Sequence, residues 1–219
     1  MKRDEGPYLA TRLSRRTFIV GTAALLVPLG ARGAADQVHD LRGRVLINNR
    51  PATTKSDILA GDRVVTGNDG HFVFVMGQDA FMLRSRSELH LEKYDDSSGL
   101  LRLVTGALGA VFGRGHSRTI HAANATAGIR GTGVYMETRG DGTYFCTCWG
   151  TVDLAASDSP REREIVESKR HVARLVLPAP KDGVRFQEAP FETHTDEEMD
   201  ILEKCVGRRS PLVVPDQRK

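Results

Sequence analysis

Two cysteines one residue apart, in Cys146-Thr147-Cys148-Trp149, are the residues of this chain best equipped for chemistry. In an extended strand, residues i and i+2 share a face, so both thiols point the same way, with Tyr144 beside them. That spacing lies near the limit of disulfide geometry, and a bond between the two needs a bend or bulge. Cys205, in a helical stretch, offers a long-range partner that would pin the helix to the rest of the fold. Three cysteines leave one thiol over. A metal site is the second outcome. Cys146 and Cys148 would supply soft ligands, His171 or His194 a third and Cys205 a fourth, a set suited to Zn²⁺ or Cu⁺. Against it stand the one-residue gap, shorter than that of structural zinc knuckles, and histidines far off in sequence. A redox-labile thiol pair is the third outcome.

Patterns for catalysis are scarce. The chain has no His-Glu-x-x-His, no nucleophile elbow and no phosphate loop. Gly113-Arg114-Gly115 lacks the strand-to-helix context of a dinucleotide fingerprint, and Asp95-Asp96 beside Ser97-Ser98-Gly99 reads as a solvated turn. The expectation is a protein that is not an enzyme and, away from the thiols, needs no cofactor.

The elements that must position these residues are short strands. Gly43–Ile47, Arg63–Val65, His71–Met76, Phe81–Leu83, Leu89–Leu91, Leu101–Val104, Leu108–Phe112, Val134–Glu137, Thr143–Cys148 and Val152–Leu154 are apolar runs separated by turn residues. In His71–Met76, Phe72, Phe74 and Met76 share one face and Val73 and Val75 the other, so the strand is expected to be buried on both sides. Arg139-Gly140-Asp141-Gly142 is a hairpin signal. Composition shifts near Ala155, and the polar run Ser157–Glu164 opens an extension with strands at Glu164–Glu167 and Val172–Leu177. A helix is predicted over 196–206. Thr195 and Glu198 make a capping box, Asp196, Glu197 and Glu198 suit the positive end of the dipole, and Met199, Leu202 and Val206 form an apolar stripe ended by Gly207. The reading is all-β, as a β-solenoid-like or twisted β-sandwich domain with a short C-terminal helix.

The glycine pattern resembles a FecR domain. The residues that carry the likeness are Gly43-x-Val45, the step Leu59-Ala60-Gly61-Asp62-Arg63-Val64-Val65-Thr66-Gly67, and Gly70-His71-Phe72. The second half follows in Gly106-Ala107, Ala125-Thr126-Ala127-Gly128-Ile129-Arg130-Gly131-Thr132 and Gly150–Leu154. Read physically, Gly61, Gly67 and Gly131 sit where a tight corner or a positive φ is needed. Asp62 and Thr66 can bond nearby backbone amides, and Arg130 can fold across strand ends and satisfy carbonyls. The resemblance implies a twisted or solenoid-like β fold in the periplasm that senses an outer-membrane transporter and reports through a membrane helix to a sigma-factor regulator. This sequence departs from that architecture, having no cytoplasmic helical region before its apolar segment, and is similar to free-standing exported members.

Ser14-Arg15-Arg16-Thr17-Phe18-Ile19 opens an uncharged run from Thr17 to Ala31 that ends in small residues, the anatomy of a twin-arginine signal. Cleavage is expected after Ala35 or Gly33, with an uncleaved anchor as the alternative. The resulting division is a signal over 1–35, a FecR-like domain over 36–156 and an extension over 157–219. Lys2, Arg3, Arg12, Arg15, Arg16 and Arg32 against Asp4 and Glu5 give the signal +4, so the remainder of a chain at +3 is −1. The basic balance thus belongs to export and predicts no nucleic-acid partner. The expected setting is the periplasm. The expected partners are the twin-arginine translocase during export, then an envelope protein or polymer.

Overall fold

The computed structural model describes residues 38–213. The predicted signal, with Arg15, Arg16 and Phe18, lies outside the described residues. Fifteen strands and one helix follow in order: β1 (Val38–Arg42), β2 (Val45–Ile47), β3 (Arg50–Pro51), β4 (Arg63–Thr66), β5 (His71–Met76), β6 (Asp79–Leu83), β7 (Glu88–Tyr94), β8 (Ser98–Thr105), β9 (Ala107–Val111), β10 (Ser117–His121), β11 (Ala125–Arg139), β12 (Gly142–Ala156), β13 (Arg163–Ser168), β14 (Val172–Lys181), β15 (Val184–Ala189) and α1 (Asp196–Cys205). The chain is therefore all-β with a short C-terminal helix. Among the described residues no helix is long and apolar enough to cross a membrane.

All strands join one sheet, ordered β1-β5-β6-β9-β11-β10-β8-β7-β4-β2-β3, with β12 on the free edge of β11 and carrying β13, β14 and β15. The ladders are antiparallel except β8–β10. The strands of the 157–219 extension thus continue the same sheet through β12.

The longest strands organise everything else. β11 and β12, each 15 residues, form a hairpin from Ala125↔Ala156 to Arg139↔Gly142, turning at Gly140-Asp141 as the hairpin signal predicts. On its other edge β11 changes partner midway. Residues 126–129 pair with β10, and residues 133–137 pair with β9. The change falls at Gly131, whose φ of +61° is a left-handed conformation that a glycine enters without steric cost. Gly61 also has a positive φ, whereas Gly67 does not. Space explains Gly67 instead, since a Cβ there would come within 3.0 Å of the Arg44 Cβ. Asp62 Oδ2 accepts the Leu59 amide at 2.8 Å and Thr66 Oγ1 accepts the Ser87 amide at 2.8 Å, so both fix corners. Arg130 differs from expectation. It is exposed and, among the described residues, satisfies no carbonyl.

Two cores lie on the two faces of the sheet. Phe72, Phe74 and Met76 join Phe81, Phe112, Leu89, Leu91, Leu101 and Leu103 in the first. Val73 and Val75 face the second, with Met82, Tyr135, Tyr144, Cys146, Cys148 and the helix residues Met199 and Leu202. The double apolar face of β5 is what lets it serve both. The predicted capping box forms, with Glu198 N donating to Thr195 Oγ1 and Thr195 N to Glu198 Oε2, and Gly207 at φ +72° closes the helix.

Candidate metal centre

β12 also changes partner along its length. Thr143–Thr147 pair with β14, and Gly150–Ala155 pair with β13. Between them the turn joining β13 to β14 folds over the strand, and His171 N donates to Cys148 O at 3.0 Å. Cys146 and Cys148 lie on one face of β12, as alternation requires, and both are fully buried. His171 closes the turn with φ +44°, and its side chain is 4% exposed. His194 arrives from the other direction, on the segment that leads into α1, behind Thr193 at φ +67°. Two non-glycine residues held left-handed beside one cluster are a stored strain of the kind that gathers at functional sites.

The Cys146 Sγ, Cys148 Sγ and one nitrogen from each histidine all lie within 4.8 Å of one another. Cys146 Sγ is 3.6 Å from His171 Nδ1, and Cys148 Sγ is 3.3 Å from His194 Nε2. A tetrahedral zinc ion with Zn–S near 2.3 Å and Zn–N near 2.0 Å holds S and N about 3.5 Å apart. Both of these sulfur–nitrogen pairs match that spacing, and the widest pairs, within 4.8 Å, must draw in for an ion to sit between all four.

The outer nitrogens fix which lone pairs face inward. His194 Nδ1 meets Glu192 O at 2.9 Å, and His171 Nε2 meets Asp196 Oδ1 at 2.6 Å. A carbonyl and a carboxylate only accept, so each outer nitrogen carries the proton. With that outer proton fixed, a ring that carries no second proton turns Nδ1 (His171) or Nε2 (His194) toward the sulfurs as an acceptor, which is the tautomer a metal needs. Aromatic rings seal the site. Phe191 stacks on His171 with centroids 3.8 Å apart, and Tyr135 stacks on His194 at 4.4 Å.

The thiols are unequal. A hydrogen bond from Cys148 holds the Cys146 thiol well below its usual pKa, helped by His171 and His194 against the cost of burial. Burial, and then the bond to Cys146, push Cys148 well above it. Burial works against a charged His171, but its bonds to Cys146 and Asp196 outweigh that and raise its pKa. Free of an ion, the cluster thus favours one thiolate beside one thiol.

Of the five residues nominated from sequence, four come together and Cys205 does not. All three cysteines are free, so the long-range disulfide does not form. The helix explains why. The cluster sits at its N-terminal end, and the rise from Asp196 to Cys205 is about 13 Å. Sequence reasoning missed Glu192 and Asp196 as partners of the imidazoles, and Phe191 as their cover. Local sequence places Asp196 at the positive end of the helix dipole, and nothing local signals its second contact.

Searches against protein-family models and against curated proteins give no match. Two crystal structures of a proposed anti-sigma factor from Parabacteroides distasonis ATCC 8503 are similar in fold, with TM-scores of 0.47 and 0.46 and 8% identity. The likeness covers 64% of this chain and 64% of each of those. At that level it identifies neither family nor activity. Fold and site define an all-β protein with a buried Cys₂His₂ cluster.

Proposed function

We propose that this chain is an exported, non-enzymatic binding module of the bacterial cell envelope, FecR-like in its β domain, that holds a transition-metal ion between Cys146, Cys148, His171 and His194. One observation carries the metal half: four soft and borderline donors converge within 4.8 Å in a buried site, with both imidazoles oriented from behind. Zinc fits better than Cu⁺, because two imidazoles with two thiolates is a common tetrahedral zinc set. Four protein ligands leave no open position, so the ion binds and braces and does not catalyse. The envelope half is supported by the twin-arginine pattern at Arg15-Arg16 and by the glycine steps around Gly61–Gly67 and Ile129–Thr132. Its partner in that setting is an envelope protein or polymer.

The test is metal analysis of the chain purified from the exported fraction, followed by zinc titration of the chelated protein. One zinc per chain is expected, falling to none in Cys146→Ser/Cys148→Ser. A wild-type chain that takes up no zinc would refute the metal assignment.

A further inference from the structure

Three of the ligands stand on β12 and the turn before β14, but the fourth belongs to the segment that becomes the helix. His194, Thr195 and Asp196 are consecutive, and each has a different task. His194 faces Cys148, Thr195 caps α1, and Asp196, the first residue of α1, holds His171 from behind. The metal centre and the helix N-terminus are therefore one mechanical unit.

We infer that occupancy of the metal centre governs whether the C-terminal helix stays docked on the sheet, making α1 a metal-controlled latch; this rests on the Cys₂His₂ reading above. Apart from the Tyr144 hydroxyl on Pro190 O at 3.0 Å, the other polar contacts at its leading end are partly open to water: Arg84 donates to Thr193 O at 2.7 Å, Arg139 pairs with Glu192 at 2.7 Å, and Arg170 pairs with Asp196. Phe191 is 47% exposed, and Thr193 is held left-handed, a conformation that persists only where the surroundings enforce it. A ten-residue helix is marginal alone. Its other anchors include Met199 and Leu202 in the second core, with Leu202 seated over Gly109, the partly open Arg84–Glu198 ion pair at 2.8 Å, and, past its far end, Arg208 donating to Gln78 O at 2.7 Å. An ion bound by His194 adds a link that helix release must break. When the helix does leave, it uncovers the apolar face made by Val73, Ala80 and Met82. An envelope module so built changes its surface with metal supply.

Hydrogen exchange by mass spectrometry on the full chain, zinc-loaded and chelated, tests this. With zinc at about 100 times its measured Kd, the Asp196–Cys205 amides are expected to exchange about a hundredfold more slowly, because opening must release the ion. Amides of β7 and β8 should not change. Zinc binding at one per chain with unchanged helix exchange would overturn the latch while leaving the metal site standing. Equal slowing across the sheet would also overturn it, since the ion would then brace the whole domain. Failure to bind zinc would remove the metal reading and the latch together.

Discussion

Two of the polar clusters buried among the described residues are closed differently. Beside the first core, Asp79 is fully buried and accepts from Arg118 Nε at 2.6 Å, from Gly113 N at 2.7 Å and from the Tyr94 hydroxyl. Arg118 also donates to Asp95 O at 3.2 Å and lies over the Tyr94 ring. Burial, then the Asp79 charge, drive the Tyr94 pKa upward, so the phenol stays a donor. The carboxylate and the guanidinium answer each other within the chain, and among the described residues no group of metal-ligating donors converges beside them. In the second core, Cys146, Cys148, His171 and His194 turn their lone pairs toward a common centre. A buried cluster whose opposite charges pair off has a structural task; one whose four ligand-type atoms converge within 4.8 Å is a candidate site. That contrast, and not burial or charge alone, separates the two.

The largest effect that could break this contrast is at Asp79. Asp79→Ala leaves Arg118 charged, 3% exposed and without its carboxylate, and should cost about 3–5 kcal/mol in urea unfolding. Zinc affinity should not move. A loss well under 1 kcal/mol, or a weakened zinc affinity, would mean the two clusters are not distinct in kind.

Next in size is Asp196→Asn. Losing the carboxylate behind His171 should weaken zinc binding about 10- to 100-fold, read by competition with a chromophoric chelator. An unchanged affinity would place Asp196 in the helix dipole alone.

The smallest effect concerns the protein stripped of metal. The Cys146 thiol is held far below its usual pKa and Cys148 far above, so ion-free protein at pH 6 should carry one thiolate. Absorbance at 240 nm checks this. The signal should persist down through pH 6, vanish in Cys146→Ser and survive in Cys205→Ser. Thiolate appearing only above about pH 8 would show that the cluster does not polarise its sulfurs.

How much of this the sequence carries differs between the regions. Period-two alternation made His71–Met76 and the shared face of Cys146 and Cys148 legible, and the capping box made α1 legible, because these depend on neighbours in the chain. Strand β10 was not read, since Arg118 occupies a core position that polarity argues against; only its pairing with Asp79 makes that burial tolerable. The first half of β11 enters the sequence reading only as a motif with a corner at Gly131, although Ala125, Ala127 and Ile129 alternate inward. Strand β15 went unread as well. The four ligands were nominated but not assembled. His171 reaches the thiols only because β14 pairs with β12, and His194 only because Thr193 bends the chain, facts that lie 25 and 46 residues from the cysteines they meet. Cys205 looked equal to the others because spacing along a helix does not say which end lies over the site.

The most direct test of the central claim is the visible spectrum of the chelated protein titrated with Co²⁺. A tetrahedral site with two thiolates and two imidazoles gives intense d–d bands and a near-ultraviolet sulfur-to-cobalt charge-transfer band. Both are expected to saturate at one Co²⁺ per chain, to bleach on adding Zn²⁺ and to be absent from Cys146→Ser/Cys148→Ser. Weak octahedral bands, or an intense spectrum that survives loss of both cysteines, would contradict a metal centre at Cys146, Cys148, His171 and His194.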